Sequence, residues 1–326
     1  MPLLSTTHRT DTFQSGLAWG TAIGGVWVFI LVMLGAFTTS IGAGMIFLDW
    51  PLSNGSLNPE GWLSDAMMFA EHSHRLSAGL MSVITIGIWF AVWKFEARAW
   101  VRQVALSAVI LVFVQAGVGG FRVLMDHLHV EMVNTSVGRL FAMLHAGLAQ
   151  IYLCVLLAIA LALSKPWIEA ADGSFDPQLK RLGRWCCGLL LLQLAIAAIM
   201  RHSYAGLAIP SFPMSTPDGD LLPQYWNFRV SIHFAHRLMA LVLSGVLIWF
   251  AVRLWKTEHA GQGLRSAAAW TVAMLVGQIA LGASAIWTLR NPYVTTGHVL
   301  LGACLLATTF GITLWTHCRG PIPKSG

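Results

Sequence analysis

"LAWGTAIGGVWVFILVMLGAFTT", residues 17–39, runs for 23 residues without one Asp, Glu, Lys or Arg. At 1.5 Å per helical residue it reaches about 34 Å, enough to cross a hydrocarbon core of roughly 30 Å. Seven further apolar runs of spanning length follow, near residues 67–93, 103–122, 138–163, 185–204, 230–254, 267–288 and 294–316. None alternates with the two-residue period of a strand, and a helix satisfies its own backbone in lipid. The chain therefore reads as an all-α integral membrane protein of eight transmembrane helices. Composition agrees: 56% of the 326 residues are hydrophobic and 10% are charged, which excludes an ordinary soluble domain.

Polar residues 1–15 precede a run that already spans, so no cleavable signal is expected and the first span should stay in the protein. With that segment in the cytoplasm, 13 of the 20 Lys and Arg fall on the cytoplasmic side and 7 on the other. This bias predicts a multi-pass protein of the cell (inner) membrane with both termini cytoplasmic. It also accounts for the net charge of +6, so no nucleic-acid partner is implied. The five cysteines, Cys154, Cys186, Cys187, Cys304 and Cys318, show no metal-ligand spacing, and the neighbours Cys186 and Cys187 read as small packing residues.

Shifting the chain along itself by 162 residues pairs Gly44 with Gly206, Pro51 with Pro213, His74 with His236, Arg75 with Arg237 and Lys94 with Lys256. At 163 the shift pairs Gln115 with Gln278 and Gly119 with Gly282, and at 153 it pairs His145 with His298. Such an internal repeat predicts two tandem four-helix bundles related by a pseudo-two-fold axis along the membrane normal. We expect an N-terminal half at 1–164, a cytoplasmic linker at 165–184 carrying "SKPWIEAADGSFDPQLKR", and a C-terminal half at 185–326.

Four of the twelve histidines fall inside spans, in the second and fourth helix of each half: His74, His145, His236 and His298. All lie within a few turns of the outward end. Two imidazoles at one depth across a bundle suit the two axial positions of a heme iron, one site per half toward the outer face. Hydrogen-bonded packing histidines and a mononuclear zinc site, for which only the first half offers a further ligand in Glu71, are the alternatives. Arg75 and Arg237, each next to its histidine, are placed for heme propionates or for snorkelling into headgroups. Three residues before the histidine the halves diverge, with Glu71 in the first and His233 in the second. A carboxyl group beside one iron only suits a pocket where substrate is transformed, with a resident electron-carrying heme in the other. An interfacial Glu71 paired with Arg75 is the plainer alternative.

These segments resemble the heme A synthases. "EHSHR" (71–75) looks like that family's Glu-x-x-His-Arg signature, and "MLHAGLAQ" (143–150) is similar to its fourth-helix motif. "HFAHR" (233–237) and "TTGHVLLGA" (295–303) resemble its second-half histidine segments. "GAGMIFLDWPLSNG" (42–55) and "RHSYAGLAIPSFP" (201–213) look like its outer loops, and "QAGVGGFRV" (115–123) like its third helix. The resemblance implies oxidation of the C8 methyl of heme O to a formyl group by successive hydroxylation with loss of water. It implies a substrate heme O facing His74 and His145, catalytic Glu71, and a heme b held by His236 and His298. Heme O synthase and an electron donor, ferredoxin-like or quinol, are the partners this leaves open, as is an oligomer in the bilayer. Many members carry a cysteine pair in the first outer loop where this chain has Phe47 and Ser53, so a thiol role is absent here. His72, His127, His129 and His202 have no role implied and read as solvated loop residues. The competing function is a quinol-linked diheme b-type electron carrier, which has little use for the Glu71/His233 difference. A heme or small-ion transporter is third, and its path should continue polar toward the cytoplasm.

Overall fold

The computed structural model describes residues 9–131, 135–170, 173, 175–258 and 260–320. Eight long helices span them: α1 (Ser15–Ser40), α2 (Ala66–Phe95), α3 (Ala99–Leu124), α4 (Val137–Leu163), α6 (Pro177–His202), α7 (Phe228–Trp255), α8 (Gln262–Trp287) and α9 (Pro292–Cys318). All eight are long and apolar enough to cross a membrane. A one-turn helix α5 (Lys165–Ile168) follows α4, and a two-residue ribbon pairs β1 (His129–Val130) with β2 (Thr135–Ser136) between α3 and α4. That ribbon is the only departure from helix among the named elements.

Helix starts are written locally. Asp65 caps α2 by accepting from the amides of Met67 and Met68, Asn227 caps α7 through Val230, and Asn291 caps α9 with Pro292 in the first turn. Helix α6 begins at Pro177, earlier than its apolar run suggests, because Asp176 caps it and Pro177 fits a first turn. Its polar first two turns, "PQLKRLGR", lie within the segment expected as linker. In α5 of that segment, Trp167 is buried, edge-on to Trp315 at 5.6 Å with Arg319 over its ring.

Packing follows chain order. Helices α1 to α4 contact their neighbours in sequence and α1 closes on α4, while α6 to α9 do the same and α6 closes on α9. Between the two sets α1 packs on α9, α4 on α6, and α4 on α9. Half of the apolar window of α4 and of α9 is buried, against 22–28% in the other six, so these two helices form the middle of the molecule. Each set has its own core, and each takes residues from the other's central helix: Ala303 and Ala307 join the first, Cys154 the second. Large apolar side chains such as Trp19 and Leu241 are some 70% exposed on the outside, an arrangement that lipid stabilises and water does not.

Candidate functional site

The four intramembrane histidines lie at matched depth. His74, His145 and His236 stand eight residues past the starts of α2, α4 and α7, and His298 stands six past the start of α9. At 1.5 Å per residue this is about 9–12 Å from one common end of the bundle. His74 and His145 are within electrostatic reach of each other, and so are His236 and His298. The structure thus brings together the pairs that the sequence placed together.

Each ring has a built seat. His145 Nδ1 donates to the Gln115 carbonyl at 3.1 Å, and the Gln115 amide returns a bond to the His145 carbonyl at 2.9 Å. A carbonyl only accepts, so the proton sits on Nδ1 and the Nε2 lone pair is left for a metal. One turn along α3, Gly119 lies against the ring; a Cβ there would stand 3.0 Å from His145 Cε1. The second half repeats the glycine contact, with a Cβ on Gly282 3.1 Å from His298 Cε1, but there the Gln278 side-chain Nε2 lies 3.4 Å from His298 Nε2 and Nδ1 has no partner. His74 rests on Gly35 of α1, where a Cβ would come within 2.9 Å. The residue 162 further on is Ala197, and His236 is held differently, with Gln193 Nε2 at 3.1 Å from Nδ1 and 3.1 Å from its carbonyl.

Several buried atoms at these seats lack a partner: Nδ1 of His74 and of His298, and Oε1 of Gln115, Gln193 and Gln278. Orphaned polar atoms in an apolar interior ask for a missing group, and a glutamine with a free oxygen can turn its acceptor toward an imidazole N–H. Two imidazoles per site, with the tautomer of His145 fixed for metal binding in the first, fit an iron porphyrin. Among the described residues no three His, Cys, Asp or Glu side chains gather as a metal site.

Above the histidines, at the same end of the bundle, the α1–α2 and α6–α7 loops are clamped in the same way. Arg75 donates through Nη1 to the carbonyls of Asp49 and Leu52, and through Nη2 to the Phe47 carbonyl and to Glu71 at 2.6 Å. Arg237 donates to the carbonyls of Ile209, Ser211 and Met214, the positions 162 further on, and its Nε lies 3.3 Å from His233 Nε2. Glu71 is buried and accepts from the amides of Ile46 (2.7 Å) and Phe47 (3.3 Å); His233 Nδ1 accepts from Ile209 N at 3.2 Å. Both loops carry a cis proline, Pro51 and Pro213. Four of the five N–H groups of Arg75 are therefore engaged by protein. Loop carbonyls have no helix ladder to satisfy them and take the guanidinium instead.

Within the first loop Asp49 accepts from the amides of Asn54 and Gly55 at 2.8 and 2.7 Å. Burial pushes its carboxyl up, but these two amides and the Arg75 charge outweigh it and hold the group below the usual carboxylate range. His72 is no solvated loop residue. It is buried on α2, with Nδ1 2.9 Å from Ser53 Oγ, Nε2 3.1 Å from the Leu57 carbonyl, and Phe47 and Trp62 edge-on to its ring. The two positions that carry no cysteine, Phe47 and Ser53, thus both meet His72. His127 and His129 are exposed, as expected. His202 ends α6, half-buried, within electrostatic reach of His145 and Arg122 across the interface.

Three arginines that the sequence reading used only for topology also gather here. Arg122 of α3 lies on Gly44 and within electrostatic reach of His74, His145 and Glu71. Arg201 of α6 crosses to α1, where Nη2 donates to the Ala36 carbonyl and to Ser40 Oγ, each at 2.7 Å. Arg290, just after α8, lies on Gly206, the repeat partner of Gly44.

Comparison with known proteins agrees with this geometry. Residues 17–310 match the family described as COX15-CtaA, cytochrome oxidase assembly protein. The chain is similar to proteins named Heme A synthase: one from Geobacillus kaustophilus (strain HTA426), 27% identical over 90% of this chain and 89% of the relative, and one from Geobacillus thermodenitrificans, 28% identical with the same coverage. Another with that name, from Staphylococcus haemolyticus (strain JCSC1435), is 26% identical over 77% of this chain and 79% of its own. With nearly its whole length matched, the chain belongs to the COX15-CtaA family of cytochrome oxidase assembly proteins.

Proposed function

We propose that this protein is a heme A synthase, a membrane oxidoreductase that converts the C8 methyl of heme O to a formyl group for terminal oxidases. One observation carries this reading: two imidazole pairs at one depth, repeated along the chain, of which only the first has a carboxylate one turn before its histidine. Residues 1–164 hold the substrate heme O between His74 and His145. Residues 185–326 hold a heme b between His236 and His298, which supplies electrons when bound. Both sites face outward, with the termini in the cytoplasm of a cell (inner) membrane protein. A quinol or a ferredoxin-like protein is the electron donor, and heme O synthase the source of substrate.

Two hydroxylations of the methyl carbon, each taking one oxygen atom from O₂ with two electrons and two protons from the donor and releasing one water, would give a geminal diol, and loss of one further water leaves the formyl group. In this scheme Glu71 keeps a fixed negative charge beside the substrate. Two backbone amides and Arg75 hold its carboxylate in place, so it stabilises positive charge developing on the reacting carbon without reorganising. The same contacts keep the loop closed over the site and water out. His233 fills that position in the other half and brings no negative charge. The test is extraction of pigments from protein produced with a supply of heme O, with hemes identified by chromatography and mass. Heme B and heme A together are expected; heme O recovered unchanged beside heme B refutes the enzymatic reading.

A further inference from the structure

The loop clamps raise a question about the ligand's own charge. A heme carries two propionate carboxylates, and bringing them into the headgroup end of an apolar bundle without cations is costly. The arginines adjoining the iron-facing histidines are engaged by loop carbonyls. Resting on the heme reading above, we infer that Arg122 in the first site, and Arg290 with Arg201 in the second, receive the propionates.

For Arg122, no hydrogen-bond partner of its guanidinium exists among the described residues, although it sits within electrostatic reach of both imidazoles of its site. It lies where a Cβ on Gly44 would be 2.1 Å from its Nη2, so the bare glycine makes room for the fork on the inner side of the loop. Its acidic neighbours are Glu71, already paired with Arg75, and Asp126, already bonded to Ser136. The residue that repeats Arg122 in the second half is Ala285, and there the cation comes from elsewhere. Arg290 reaches the matching Gly206, with its Cδ 3.5 Å and Nε 3.7 Å from the Cβ position. Its backbone is left-handed, φ +66°, as is that of Leu289, φ +50°. A helix end of this shape favours glycine, so a side chain kept there at a conformational cost has a use elsewhere. Arg201 adds a buried Nε without a partner and lies within electrostatic reach of His298 and Arg290. The two halves thus place a guanidinium on the same loop glycine from non-equivalent positions, which points to demand from the ligand rather than inheritance from the repeat.

The test titrates two probes, protohemin and protohemin dimethyl ester, into purified protein and follows the Soret band. His236→Ala isolates the first site and His74→Ala the second. The acid should bind more tightly than the ester at both. Arg122→Gln at the first site and Arg290→Gln at the second should weaken the acid about 10- to 100-fold, the range for a lost charge-assisted bond, and leave the ester unchanged. Arg122→Lys should restore part of the preference and serves if the glutamine variant is not monodisperse. Acid and ester binding equally to the unsubstituted sites, or an acid preference that survives both glutamine substitutions, overturns the assignment. If neither probe shifts the Soret band in any form of the protein, the heme reading itself falls, and this inference with it.

Discussion

The glycine seats beneath His145 and His298 make the strongest demand on the structure. Replacing Gly119 with Ala puts a Cβ 3.0 Å from His145 Cε1 and 3.3 Å from Nδ1, several tenths of an ångström inside ordinary carbon contact. The ring cannot swing away freely, since Nδ1 is tied to the Gln115 carbonyl and Gln115 is tied back to the His145 carbonyl. Overpacking of this kind costs about 1–3 kcal/mol, which as lost iron affinity is roughly 5- to 150-fold. Gly282→Ala meets His298 at 3.1 Å, with no hydrogen bond fixing its Nδ1, so its effect should fall at the lower end. Gly117, half a turn from Gly119 on the same helix, has nothing within 4 Å of its Cβ position. Gly117→Ala should leave heme binding intact and raise the thermal midpoint slightly, because alanine favours helix by about 1 kcal/mol. Hemin titrations of the three variants, with thermal unfolding in the same detergent, check this. Equal heme affinity in Gly119→Ala and Gly117→Ala would refute the claim that the α3 glycine positions an iron ligand.

Other substitutions separate the two sites and the two tasks of the loop. Glu71→Gln should keep the heme b spectrum and stop formation of heme A; full turnover would remove the need for its charge. His236→Ala should abolish the heme b spectrum while His74→Ala retains it, and the opposite pattern reverses the assignment of the halves. His72→Ala breaks the contacts to Ser53 and the Leu57 carbonyl, leaving the buried Ser53 hydroxyl without its acceptor at about 1–3 kcal/mol. It should open the first loop to limited proteolysis, with the second loop as internal control, and unchanged cleavage of both would contradict its anchoring role.

How much of this was legible follows the range of the interactions involved. The eight spans declare themselves by composition, and the depth of the four histidines follows from helix rise alone. Capping is equally local: Asp176 before Pro177 starts α6 where hydropathy sees only "PQLKRLGR". The repeat could be read because paired residues keep fixed offsets. What the sequence could not show is how two aperiodic loops fold back on α2 and α7. Arg75 looks free beside its histidine until the carbonyls of Phe47, Asp49 and Leu52 converge on it. His72 looks like a spare imidazole because it stands two residues from His74, on the opposite face of the helix, where only the folded loop gives it partners. Arg122, Arg201 and Arg290 are scattered in the chain and meet only through tertiary packing. A signal for the seats was present in Gln115 and Gly119, and again in Gln278 and Gly282, each pair four residues apart and so on one face.

The places where the halves differ are not random with respect to the four rings. His145 and His298 keep one kind of seat, a glutamine and a glycine on the preceding helix. The differences collect around the other histidine of each pair. Glu71 stands against His233, Gly35 against Ala197, and Leu31 against Gln193. As a result His236 is gripped by a side-chain amide at its ring and its carbonyl, while His74 lies on a bare glycine with its Nδ1 unsatisfied. An axial ligand whose orientation is fixed suits a heme that stays, because less freedom is lost when iron binds. The wall that carries the glutamine and the glycine is thus shared by the two halves, while the opposite wall carries the Glu71/His233, Gly35/Ala197 and Leu31/Gln193 differences.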